Sequence, residues 1–138
     1  MWALCALGSI VQIDRLDHLV LTVKDLDCTV KFYERVLGMD KITFGDNRFA
    51  LKFGQQKINL HELGNEFEPK AHNVISGSAD LCFITSIPIN EVISHIKKCG
   101  IEVLEGPVNR TGATGNIISV YIRDPDKNLI EISNYIGI

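Results

Sequence analysis

Several things are missing from this 138-residue chain, and each absence closes off a class of function. There is no basic surplus. Fourteen Lys and Arg stand against 17 Asp and Glu, a formal net charge of -3, so the electrostatic footprint of phosphate-backbone binding is absent and no nucleic-acid partner is expected. Cysteine is sparse: Cys5, Cys28, Cys82 and Cys99 lie far apart, with neither a paired-thiol spacing nor the dense framework of a small secreted protein. A reducing, cytoplasmic setting is the resulting expectation. The apolar stretch 1–13 is broken by Gly8, Ser9 and Gln12, lacks an early Lys or Arg, and falls short of the about 20 residues of a membrane span. It reads as part of an N-terminal extension over 1–15, and no membrane partner is expected. The two long connecting segments contain no Walker or dinucleotide motif, which removes the sequence case for a nucleotide cofactor.

What is present is the composition of one soluble domain, with 46% apolar and 22% charged residues in a chain long enough to bury a core without disulfides. The first half of that domain is echoed in the second. Residues 17–23 alternate in strand fashion, and Leu26, Val30, Tyr33, Val36 and Leu37 then recur at helical spacing before Gly38 offers a left-handed cap. Sixty-two residues on, 79–85 is again strand-like, Ile89, Val92, Ile93 and Ile96 form a second helical stripe, and Gly100 stands where Gly38 stood. Extended pieces follow each helix, at 41–44, 49–53 and 57–63 in one half and at 102–104, 117–122 and 129–135 in the other. Each half therefore reads βαβββ, an α+β arrangement with repeats 16–63 and 79–136. Units of this size are marginal alone, so the two are expected to pack as one domain over 16–136.

Strand alternation sends neighbouring side chains to opposite faces. If Leu19, Leu21 and Val23 pack under the helix, His18, Val20 and Thr22 face a cleft. The same reasoning puts Asp80 and Cys82 on the cleft face of the matching strand, Glu131 and Ser133 on that of the last strand, and Asn59 and His61 opposite Ile58 and Leu60. Four polar positions are thereby expected to converge: His18, Asn59 or His61, Asp80 and Glu131. A carboxylate between Ile130 and Ile132 is costly to bury unless it is paired or bound to a cation. Cys82 reads as a small buried hydrophobe, His72 as a loop residue and His95 as bordering the polar face of the second helix.

The run Leu16-Asp17-His18-Leu19-Val20-Leu21-Thr22-Val23, the pairs Phe32-Tyr33 and Leu37-Gly38, and the closing Asp124-Pro125-Asp126-Lys127-Asn128-Leu129-Ile130-Glu131 resemble the vicinal oxygen chelate superfamily, also called the glyoxalase/bleomycin-resistance/dioxygenase fold. The resemblance implies a U-shaped cleft with metal ligands from the first and last strands of each unit. Those positions here are His18 and Glu131, Asp80 by the repeat, and His61 or its neighbour Asn59. It departs from the pattern where relatives usually place Glu or Gln at Asn59/His61, and where many metal-dependent members have His at Asp80. Such a donor set suits a six-coordinate divalent cation of unspecified identity and disfavours tetrahedral thiolate zinc.

The activity so implied is a metal-dependent lyase or isomerase acting on a small oxygen-rich substrate, with proton abstraction next to a carbonyl. Glu131 is the expected base, or Asp80 if it is not a ligand. Two further readings stand beside it: a metal-free binding module, and an Fe(II) extradiol-type dioxygenase. Two segments are candidates to shape the pocket. Residues 62–78 form a long polar connection of the kind that makes lids or binding loops. Residues 105–115 are glycine-rich, with Arg110 and Thr111 placed to hold a substrate carboxylate or phosphate. The resemblance also implies a homodimer.

Overall fold

The computed structural model describes residues 8–137; the apolar start of the chain, with Cys5, lies outside them. Residues 8–17 are exposed and carry neither helix nor strand. The first regular element is strand β1 (His18–Val23), followed by helix α1 (Leu26–Leu37). Asp25 starts that helix because its carboxylate accepts the Cys28 amide at 3.0 Å, supplying one of the bonds that a helix N-terminus otherwise lacks. Gly38 ends it with φ 65°, a conformation that costs glycine nothing. Strands β2 (Asp40–Phe44), β3 (Arg48–Phe53) and β4 (Gln56–Glu62) complete the first unit. The second repeats it: β5 (Asp80–Ile84), α2 (Ile89–Lys98), β6 (Glu105–Thr111), β7 (Asn116–Arg123) and β8 (Leu129–Tyr135).

Each unit folds into its own four-stranded sheet, in the orders β1-β4-β3-β2 and β5-β8-β7-β6. The first and last strands pair in parallel in both, and the remaining pairs are antiparallel. This is the two-module α+β architecture expected from the repeat. The helix-facing sides share one core, in which Leu21, Val23, Ile58 and Leu60 from the first sheet join Val120, Ile122, Ile130 and Ile132 from the second, with Val30, Tyr33, Val36 and Ile96 from the helices. Burial of each such side chain contributes about 1.5–3 kcal/mol.

Specific contacts also tie the halves together. Phe53 meets Phe83 edge to face at 5.3 Å, and the Tyr33 hydroxyl donates to Asp124 at 2.7 Å. His95 Nε2 donates to the Arg35 and Val36 carbonyls at 3.2 and 3.1 Å, at the C-terminal end of α1. It thus bridges the two helices, a role that its place on the polar border did not reveal. Asp124 also accepts the amides of Asp126 and Asn128 and the Asn128 side chain, closing the turn that leads into β8.

Candidate functional site

The sheet faces turned away from the shared core carry the chemistry. On the first, parallel pairing sets Val20 beside Asn59 and Thr22 beside His61, with His18 beside Lys57. On the second, Cys82 lies beside Glu131 on one side, and Tyr121 flanks Glu131 on the other. Asp80 is one alternate position before Cys82 on the same face. The register therefore sets Val20 with Asn59 and Thr22 with His61 on the first sheet, and Cys82 with Glu131 and Tyr121 on the second.

His18 sits at the start of the edge strand β1, half exposed, with Nδ1 2.8 Å from Asp17 Oδ2. An ionised carboxylate only accepts, so Nδ1 carries a proton, and in the neutral ring the lone pair lies on Nε2. The same contact holds the Asp17 carboxyl below its usual range. Glu131 is held from the opposite direction: its Oε2 accepts Ser119 Oγ at 2.5 Å and Ser133 Oγ at 3.4 Å. The two serines, both fully buried, are 2.6 Å apart, and Ser133 also lies 3.4 Å from Cys82 Sγ. Cys82 is exposed rather than buried among hydrophobic groups, which corrects that expectation; partial desolvation raises its thiol pKa. Asp80 is exposed.

Asn59 and His61 alternate with Ile58 and Leu60 yet are themselves buried, at 6% and 3% exposure, and part of the 63–79 connection lies against His61. Asn59 Oδ1 has no hydrogen-bond donor. Phe67 lies edge-on to the His61 ring at 5.5 Å, and Arg48 Nη2 is 3.4 Å from His61 Nε2. The guanidinium has no lone pair, so Arg48 donates and Nε2 accepts. Desolvation first, then Arg48, lowers the His61 pKa.

These surroundings test each expected ligand. His18 and Glu131 could serve as cation donors, since each is oriented by a neighbour in the way metal ligands usually are, and Asp80 is an exposed carboxylate on the same face as Glu131. His61 does not fit, because a guanidinium faces its acceptor nitrogen and would repel a second cation there. Among the described residues, no three His, Cys, Asp or Glu side chains stand close enough to hold one ion. Within one chain the expected set therefore falls into two halves, one on each sheet.

The 105–115 segment departs from its expected form as well. Most of it is strand β6, and the strand expected at 102–104 is irregular. Gly106 serves a close approach, since a Cβ there would lie 2.7 Å from the Ser119 carbonyl oxygen, and its φ is +129°. Arg110 is already engaged, donating through Nε to Tyr121 Oη at 3.0 Å and through Nη2 to Glu105 at 3.3 Å. Thr111 ends β6 opposite Asn116. Sequence reading missed Tyr121, whose placement beside Glu131 follows only from the β7–β8 register.

A cavity of about 460 Å³ opens between β1, β4 and the 69–79 part of the connecting segment, with Thr22 and His61 in its wall. No described helix is long and apolar enough to cross a membrane.

The topology and the matched sequence agree on the class. Residues 15–132 match the Glyoxalase/Bleomycin resistance protein/Dioxygenase superfamily, and the chain belongs to that family. It is 65% identical over 124 residues to virulence protein STM3117 of Salmonella typhimurium, covering 90% of this chain and 86% of that one. The crystal structure of that relative superposes with a TM-score of 0.90 at 64% identity, covering 91% of this chain and all of the other. Glyoxalase domain-containing protein RDO1 of Mycosarcoma maydis is 54% identical over 125 residues, 91% of this chain and 70% of that one. Fosfomycin resistance protein FosX of Listeria innocua is 29% identical over 129 residues, 88% of this chain and 90% of that one.

Proposed function

We propose that the chain is a metal-dependent enzyme of the lyase or isomerase type acting on a small oxygen-bearing substrate, working as a homodimer in which the first sheet of one copy faces the second sheet of the other. The observation that carries this reading is the matched preparation of two donors: Asp17 leaves His18 Nε2 free, and Ser119 with Ser133 fixes one oxygen of Glu131. His18 and Glu131 would hold a divalent cation, which supplies Lewis-acid polarisation of a substrate oxygen. Asp80, exposed and one alternate position from Cys82 beside Glu131, is the carboxylate placed to take the proton from the adjacent carbon. A second copy is needed because the halves of the donor set lie on different sheets, and both β1 and β5 are unpaired edge strands bearing exposed Val20 and Ile84.

Elemental analysis tests this on protein purified without a His tag. Wild type is expected to carry about one divalent ion per chain, an estimate from the single donor set. His18→Ala and Glu131→Ala should each lose it, while Asp80→Asn keeps it. Light scattering should return twice the chain mass.

The metal-free binding module remains the second reading, favoured by the failure of three donors to converge within one chain. Metal absent from wild type, or unchanged in His18→Ala and Glu131→Ala, would establish it in place of the enzyme.

A further inference from the structure

We propose that the groove at the seam of the two units, walled by the C-terminal end of α1, the start of α2 and the rings of Phe53 and Phe83, binds a small protonated amine with an apolar body. It is not part of the cleft faces: none of His18, His61, Asp80 and Glu131 lines it. Its volume of about 370 Å³ is that of a small-molecule site, and so is its lining, mostly apolar with a few polar groups. Leu37, Phe53, Phe83 and Val92 belong to the margin of the shared core and are only partly covered, which leaves apolar surface open in the groove.

The charge of the groove follows from its polar residues. Glu91 lines it, no Lys or Arg does, and Glu91 is exposed and takes part in none of the ion pairs among the described residues. One turn along the same helix face, His95 donates through Nε2 to the Arg35 and Val36 carbonyls, so in the neutral ring Nδ1 holds the lone pair and accepts. Those carbonyls belong to the last turn of α1, the partially negative end of that helix. The start of α2 brings a partial positive charge of about half a unit, which the full charge of Glu91 exceeds. Arg35 donates its Nη2 to the Cys99 carbonyl at 3.1 Å, about two turns along α2 from Glu91. Phe53 and Phe83 add aromatic rings, whose faces attract an ammonium group.

Backbone donors at the rim are already taken, so an anion finds no open N–H at these positions. On one side Asn134 Oδ1 accepts the Ile89 amide at 2.8 Å, Thr85 Oγ1 accepts that of Ile87 at 3.1 Å, and the Ser133 carbonyl accepts that of Thr85 at 3.0 Å. On the other, the Gly38 and Met39 amides return to the Glu34 and Tyr33 carbonyls, each at 3.1 Å. Asn134 Nδ2 also donates to the Thr85 and Ile87 carbonyls, both at 2.8 Å, which fixes the turn into α2 as a wall. A carboxylate and an imidazole acceptor beside apolar surface call for a donor that carries positive charge and an organic body.

The test uses the full chain, isotopically labelled and treated with EDTA, so that its outcome is independent of any cation in the cleft. Hexylamine and benzylamine are titrated by amide NMR at about pH 8, above the ordinary range of histidine, with hexanol, hexanoate and ammonium chloride as comparisons. The expected result is saturable shifts at Gly38, Thr85, Glu91 and His95, with binding of the three comparison compounds weaker by about tenfold or more. Glu91→Gln, a change at an exposed position, should weaken the amines by about tenfold while leaving hexanol unaltered, and Glu91→Lys should make hexanoate bind better than hexylamine. No saturation, saturation centred on β1 and β4 instead, equal binding of hexanol or of ammonium, or amine binding unaltered by Glu91→Gln would each overturn the proposal.

Discussion

The two sheets share a fold and an internal order of strands but not a surface. Toward the helices both present aliphatic side chains to one core, whereas their opposite faces have diverged in charge and in cover. The first carries Lys57 3.8 Å over the Phe44 ring, Arg48 between Phe44 and Phe67, and a buried His61 under its connecting segment. The second is a network running from Glu105 through Arg110 and Tyr121 toward Glu131, Ser119 and Ser133. Packing constrains one side of a strand in a duplicated unit and leaves the alternate side chains free to take up different chemistry. A cationic face and an acidic one are also complementary, which is how two copies facing each other would be matched.

The contact that joins the repeats is the most damaging place to break this arrangement. Asp124 is buried and accepts from Tyr33 in the first unit and from Asn128 and Asp126 in the second. Asp124→Ala leaves several of those donors unsatisfied at once and is expected to cost about 3–5 kcal/mol, read as a lower urea midpoint. Tyr33→Phe removes one bond and should cost about 1–2 kcal/mol. Next in size comes a change confined to the second sheet. Gly106→Ala forces a methyl against the Ser119 and Val120 backbone in a left-handed conformation, for an expected loss of about 2–4 kcal/mol in the same measurement.

Periodicity made the helices, the alternation of β1, β4 and β8, and the pairing of equivalent strands legible before any coordinates. The family signature rested on local strings such as 16–23 and 124–131, whose residues indeed start β1 and enter β8. Three features stayed hidden because they depend on contacts distant in sequence. Arg48 lies 13 residues from the His61 it faces, and nothing in the order of residues says that a guanidinium spoils that imidazole as a ligand. Tyr121 reaches Glu131 only through the β7–β8 register. The glycines of 105–115 looked like an anion loop, but Gly106 answers a steric demand of the neighbouring strand, and Arg110 is already spent on Tyr121 and Glu105.

The cationic character of the first face has a pH signature. His61 has a folded pKa depressed below its ordinary 6.5, so the unfolded chain binds the proton first as pH falls. Stability from this residue is therefore complete above about 6.5 and is lost as pH drops through the folded value. Urea midpoints between pH 7.5 and 5, limits set by the ordinary range over which His titrates, should decline for wild type. His61→Gln should flatten that slope relative to wild type. Parallel slopes in the two proteins would mean that the burial of His61 carries no titration penalty.

The smallest effect belongs to the exposed end of the second network. Arg110 is solvated, and losing its ion pair with Glu105 should leave the urea midpoint essentially unmoved. Its influence is on Tyr121. Desolvation raises that phenol's pKa, with the Glu131 charge acting in the same sense, while the Arg110 hydrogen bond pulls it down. Arg110→Ala removes the opposing contribution, so the Tyr121 phenol should titrate at still higher pH than in wild type, followed by ultraviolet difference absorbance with Tyr121→Phe as the assignment control. Adding Glu131→Gln to Arg110→Ala should bring the titration back down, because the remaining neighbouring charge is then gone. If Arg110→Ala left the phenol unchanged while Glu131→Gln moved it, the network would end at Tyr121 and the arginine would be only its surface cover; the acidic face would then act without the cationic link that joins it to Glu105.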